Sequence, residues 1–108
     1  MLERLAKTIA SVAVGTTAAA SKEINFGPYS GGFVFIPTTA GASITTLTWY
    51  VAEKPGGTYL AAYDEDGVAI TQTVSHTKAY AVPSALFGAR AVKIVGNAAG
   101  TVILSPKG

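Results

Sequence analysis

The sequence predicts an all-β fold, a sandwich or barrel of short strands, on three observations. Gly and Pro punctuate the chain about every ten residues, a spacing typical of all-β domains. Ala, Thr and Gly together fill 44 of 108 positions. Thr suits strands, Gly suits turns, and small side chains let flat surfaces approach closely. Between the turns, apolar and polar residues alternate with the period of two that a half-buried strand requires.

The elements follow in order. Residues 2, 5, 9 and 12 (Leu, Leu, Ile, Val) have helical spacing, yet residues 8–14 also read as a strand rich in Thr and Val. The favoured reading is a short arm or helical turn over residues 1–6, then a strand. Residues 15–21 are small and polar, as in a flexible loop. Phe33-Val34-Phe35-Ile36 is a continuous apolar run ended by Pro37, and it predicts a strand with both faces covered. Residues 43–51 alternate, with Leu47, Trp49 and Val51 on one face and Thr46, Thr48 and Tyr50 on the other. Pro55-Gly56-Gly57 turns the chain into a strand over residues 58–63, and Asp64-Glu65-Asp66-Gly67 turns it again. Residues 68–74 should place Val68, Ile70 and Val74 on one face and Thr71 and Thr73 on the other. A turn at Ser75-His76-Thr77 precedes a short strand over residues 78–82. Residues 83–88 fit one helical turn stopped by Gly88, with Leu86 and Phe87 plugging an end of the core. Two final strands, 91–95 and 101–105, flank a Gly/Asn/Ala turn, with Val92 and Ile94, then Val102 and Leu104, facing inward.

Composition bounds the function. One domain of this length buries roughly 65% of the surface of its unfolded chain, enough for one core but not for a deep cleft as well. Hydrophobic residues make up 49% and charged residues 13%. That excludes disorder and leaves apolar surface that must enter a core or meet a neighbour. The net charge is +2, but the eight basic residues are scattered singly. A nucleic-acid footprint would cluster them, so no specific nucleic-acid partner is expected. There are no cysteines, which removes disulfides and thiolate metal sites. The apolar stretch 8–20 is broken by Ser11, Gly15, Thr16 and Thr17, so neither a signal peptide nor a membrane span is expected.

No catalytic constellation emerges, and no cofactor or metal site is expected. His76 is the single histidine. It sits in a polar turn, and the adjacent Ser75 would point to the opposite face of a strand, which disfavours a triad. Asp64-Glu65-Asp66-Gly67 is explained by turn chemistry. As an EF-hand loop it would need a glutamate at the twelfth position, where Ser75 stands, so only an adventitious calcium contact is left open. No phosphate loop is present. Among the aromatic residues, Trp49 shares a face with Leu47 and Val51 and is assigned to the core. The candidate contact residues are Tyr50, on the opposite face, Tyr59 and Tyr63, which share a face across Ala61, and Tyr80.

One resemblance adds to this. Ile36-Pro37, Ala42-Ser43-Ile44-Thr45-Thr46-Leu47-Thr48-Trp49-Tyr50-Val51, Pro55-Gly56-Gly57-Thr58-Tyr59, Ala62-Tyr63-Asp64, Ala79-Tyr80-Ala81-Val82-Pro83, Leu86-Phe87 and Val92-Lys93-Ile94-Val95-Gly96-Asn97 resemble segments of small structural proteins of tailed bacteriophages. The resemblance spans about three quarters of the chain, residues 33–108, and rests mostly on turns and core positions. It implies an antiparallel, jelly-roll-like β-sandwich over residues 23–108, preceded by residues 1–22 as an N-terminal arm or first strand plus flexible loop. It also implies a capsid decoration or cement protein at the virion surface, made in the host cytoplasm. The expected partners are the major capsid protein or other virion proteins, in a homo-oligomer or symmetric array, with no membrane. The same order of segments fits carbohydrate-binding sandwiches, so a sugar- or receptor-binding module of a fibre or tail is the alternative. An enzyme ranks last.

Overall fold

A computed structural model describes residues 10–26, 31–38 and 42–107 of the protein. The arm expected over residues 1–6 lies outside the described residues. Among the described residues, nine strands form two antiparallel sheets: β1 (Ala10–Val14), β2 (Ile24–Asn25), β3 (Gly31–Ile36), β4 (Thr46–Ala52), β5 (Leu60–Ala61), β6 (Thr71–Thr73), β7 (Lys78–Ala81), β8 (Ala91–Gly96) and β9 (Gly100–Lys107). The first sheet runs β1-β9-β3-β7 and the second β2-β8-β4-β5, with β6 also on β4. Apart from the β4-β5-β6 run, each successive strand enters the other sheet. β1 pairs with β9 in the register Ala10↔Leu104 to Val14↔Gly100. Its Val12 and Val14 are buried, so the stretch read as strand or helix is a strand of the sandwich.

Alternation builds the core. Val12, Val34, Ile36, Val102 and Leu104 from the first sheet meet Leu47, Trp49, Val92 and Ile94 from the second. Trp49 is fully buried, and its indole N–H donates to Gln72 Oε1 at 2.9 Å. That bond explains a polar residue at an inward position of β6. Gln72 Nε2 in turn donates to Ala81 O at 2.9 Å, which ties the second sheet to the edge of the first. The helical turn expected after Pro83 is a 3-10 helix, Ser84–Gly88. Its Leu86 is buried, and its half-buried Phe87 stacks on Phe26 with ring centroids 4.7 Å apart.

Three orientations differ from the sequence reading. Phe33-Val34-Phe35-Ile36 does not have both faces covered: Val34 and Ile36 are buried, while Phe33 is 50% and Phe35 44% exposed. A sandwich has two layers, so a strand that no connection covers keeps one face outside. Val68 is 59% exposed because it sits in the turn before β6 rather than in the strand. Val51 is half-buried rather than fully inward, and it pairs with buried Val92 on one side and exposed Leu60 on the other.

The connection after β1 is knit rather than open. Gly15 N–H donates to the Oγ of buried Ser21 at 3.0 Å, and that Oγ donates to Thr17 O at 2.9 Å. Gly15 O accepts the Gly96 N–H at 2.9 Å, so the chain touches both sheets at this crossing. A Cβ at Gly15 would stand 2.4 Å from Ala20 Cβ, which is why glycine is needed there. No helix among the described residues is long and apolar enough to cross a membrane.

Candidate interaction surface

Strand register assembles a surface on the outside of the first sheet. Ser11 pairs with Ile103, Ile103 with Phe35, and Phe35 with Ala79. The next row is Ser105, Phe33 and Ala81. Ala13 and Thr101 extend the face on the other side. None of these nine residues carries a charge. Beside Phe35 lies a shallow depression of about 350 Å³, floored by Ile103 and Ala79 and rimmed by Pro37, Thr77 and Lys78. A phenylalanine offers roughly 200 Å² of surface, so each half-exposed ring leaves about 100 Å² in water. Covering both contributes roughly 5 kcal/mol before the cost of association.

The outside of the second sheet is built differently. Tyr50 of β4 pairs with Ala61 of β5 and with Lys93 of β8. Thr48 and Thr46 pair with Thr71 and Thr73. Two connections fold over this face. The 15–22 connection meets β8 through a Gly15↔Val95 bridge, and Lys93 Nζ donates to Ala18 O at 2.9 Å. The 53–58 loop is held by Glu23, whose Oε2 accepts the Gly56 N–H at 2.6 Å and the Tyr59 O–H at 2.5 Å. Lys93 Nζ also lies 4.7 Å from the Tyr59 ring centroid. The Gly56 N–H bond and then the Tyr59 hydroxyl hold the Glu23 carboxyl below its ordinary value; burial opposes them, and the Lys93 charge lowers it least. Burial first, and the Glu23 bond and charge next, push the Tyr59 hydroxyl well above the ordinary tyrosine value.

The four tyrosines singled out from the sequence do not form one platform. Tyr50, Tyr59 and Tyr63 alternate onto the outer side of the second sheet, but only Tyr63 is mostly exposed, at 61%. Tyr80 faces inward opposite Val34, packs against the core, and accepts the Ser75 N–H at 2.8 Å. Asp64 serves its turn: its Oδ1 accepts the N–H groups of Asp66 and Val68, both at 2.9 Å. His76 is exposed in its turn. Among the described residues, no three His, Asp or Glu side chains gather in a way that could hold a metal.

Sequence reasoning missed Phe33 and Phe35 as surface residues. The available signal was chain length. A domain of this size forms two layers, so a strand keeps one face outside unless a connection folds over it, as over β8. It also missed the Glu23–Tyr59–Lys93 group, whose members are far apart in the chain and share no motif.

No protein-family model, curated protein or solved structure matches the chain.

Proposed function

We propose that the protein is a non-enzymatic binding module that docks the outer face of its first sheet onto another protein, and that its setting is a virion, as a capsid decoration or cement protein. The observation that carries the docking reading is the pair Phe33 and Phe35, half in water on a nine-residue face with no charge. Isolated surface apolar residues are common, but a flat uncharged patch with two phenylalanines points to an interface. The virion setting draws on the resemblance of residues 33–108 to phage structural proteins. It also draws on the strand order. β1-β9-β3-β7 facing β2-β8-β4-β5 supports a jelly-roll sandwich, an architecture used by viral capsid and lectin domains. Repetition on a symmetric shell lets many weak contacts add up.

A second reading, sugar binding, is favoured by Tyr50, Tyr59 and Tyr63 on one side of the second sheet. It draws less support, because the Tyr59 hydroxyl and one side of its ring are already engaged by Glu23 and Lys93.

The test is co-sedimentation with empty shells assembled from the major capsid protein of the same genome. Binding that survives high salt, and that Phe33→Ser with Phe35→Ser abolishes, is the expected result. A genome without a capsid protein removes the virion setting. Binding that disappears at moderate salt removes the apolar face as its basis. Hits on a glycan array that depend on Tyr63 and not on Phe33 would move the function to the second sheet.

A further inference from the structure

The group centred on Glu23 goes beyond docking and does not depend on it. Glu23 lies in the segment that leads into β2 and is half-buried. Three elements pack against its carboxylate. The 53–58 loop brings the Gly56 N–H, the approach to β5 brings the Tyr59 O–H, and β8 brings the Lys93 ammonium. Lys93 is the charge that faces it. Lys22, its neighbour in sequence, is exposed, as are Glu53 and Lys54 on the loop.

The two connections depend unequally on Glu23. Lys93 fastens the 15–22 connection through Ala18 O without help from Glu23. Ser21 fastens it a second time through Gly15 N–H. The 53–58 loop has one internal bond, Gly57 N–H to Lys54 O at 3.0 Å, and otherwise leans on the carboxylate. Gly56 has a φ of +79°, so the turn presents its N–H outward, and only glycine adopts that conformation freely. The same loop forms one wall of a cleft of about 400 Å³ whose apolar side is Val51, Ala52 and Leu60. Leu60 is 67% exposed at its lip.

We infer that Glu23 is an acid-sensitive latch: ionised, it fastens the 53–58 loop as the wall of the Leu60 cleft, and protonated, it releases that loop while the 15–22 connection stays in place. The chemistry is one proton. A carboxylate accepts two strong charge-assisted hydrogen bonds at Oε2; the neutral acid holds both more weakly.

Amide hydrogen exchange of the ¹⁵N-labelled full chain tests this, read from about pH 3 to about pH 7 and corrected for intrinsic rates. The Gly56 amide should lose at least about tenfold of its protection as pH falls through the Glu23 titration, while the Gly15 amide keeps its own. Glu23→Gln should show the loosened Gly56 at neutral pH, with no further change on acidification. Tyr59→Phe keeps the carboxylate and loses one donor, so its Gly56 transition should persist at higher pH. Gly56 protection that is unchanged across the range overturns the latch. So does loss of Gly56 and Gly15 together, which would be unfolding of the whole domain, or wild-type protection in Glu23→Gln. Should Glu23→Gln fail to fold, a pH-independent Gly56 in Tyr59→Phe overturns it equally.

Discussion

The two sheets present opposite kinds of outer surface. The first exposes Phe33 and Phe35 among Ala, Ser, Thr and Ile, and no loop crosses it among the described residues. The second carries Tyr, Thr and Lys, and two connections are fastened over it by Glu23, Lys93 and Ser21. Both faces belong to strands whose inner sides meet in one core, so hydrophobic burial alone does not distinguish them. The difference is in what covers them. Among the described residues, two connections cover the polar face, while Phe33 and Phe35 stay half exposed on the apolar one. An unfinished apolar face costs solubility, and that cost is what motivates the docking proposed for it.

Breaking the bare face should have the largest effect. Phe33→Lys with Phe35→Lys is expected to weaken partner binding at least a hundredfold, measured by co-sedimentation or titration calorimetry, because two charges replace the apolar contact. Stability, read from urea midpoints, should change by less than about 1 kcal/mol, since both side chains point outward. A large loss of stability would mean that these rings hold the fold instead.

Lifting the covering of the other face comes next. Gly15→Ala forces a Cβ against Ala20, so the 15–22 connection must shift off β8. A loss of about 2 kcal/mol in urea unfolding is expected. Unchanged stability would show that the connection yields freely and does not seal the second sheet.

The pH profile should follow the covered face. Glu23 is depressed from an ordinary value of 4.5. Its contribution is present above that value and is lost as pH falls through the folded-state pKa. Tyr59 is raised from an ordinary value of 10.0. Its contribution is present below that value and is lost as pH rises toward the folded-state pKa. A stability plateau with an acid and an alkaline limb is expected. Glu23→Gln should flatten the first limb and Tyr59→Phe the second. Limbs that persist unaltered in both variants would place the titrating groups elsewhere.

The smallest effect is expected at the rim of the bare face. Thr77 holds a φ of +67°, which a β-branched residue adopts only under strain, while its N–H donates to Ile36 O at 2.7 Å. Thr77→Gly should raise stability by about 0.5–1 kcal/mol without changing partner binding. A decrease would mean that the side chain supports the turn more than its backbone costs.

Much of the fold was legible because it is local. Leu47 and Trp49 announced their face by simple alternation, and Pro83 to Gly88 announced a short helical turn with Leu86 as its plug. The turn at Asp64 followed from residue types that bond their own backbone. The outer apolar face was harder to read, because it depends on which way a strand is rotated. In Phe33-Val34-Phe35-Ile36 either pair could face in, and hydrophobicity does not choose. The β-branched aliphatic residues took the core, and the aromatic pair was left outside. Tyr80 is a related case. In Lys78-Ala79-Tyr80-Ala81 only one large apolar residue is available to pack inward, and the same ring that suits a contact surface packs against the core. Glu23, Tyr59 and Lys93 meet only after both sheets have formed, so no local pattern marks them.

The pairing of β1 with β9 has a mechanical consequence. Ala10, at the start of β1, stands opposite Leu104, near the end of β9. The antiparallel ladder therefore brings the chain in and takes it out at the same end of the sandwich. Tension applied between residues 10 and 107 would not shear that ladder as a unit. It would open it like a zip, one pair of hydrogen bonds at a time, from Ala10↔Leu104 toward Val14↔Gly100. The sandwich should yield at low force when pulled through residues 10 and 107. A load carried through the sheet face would meet all the strands at once.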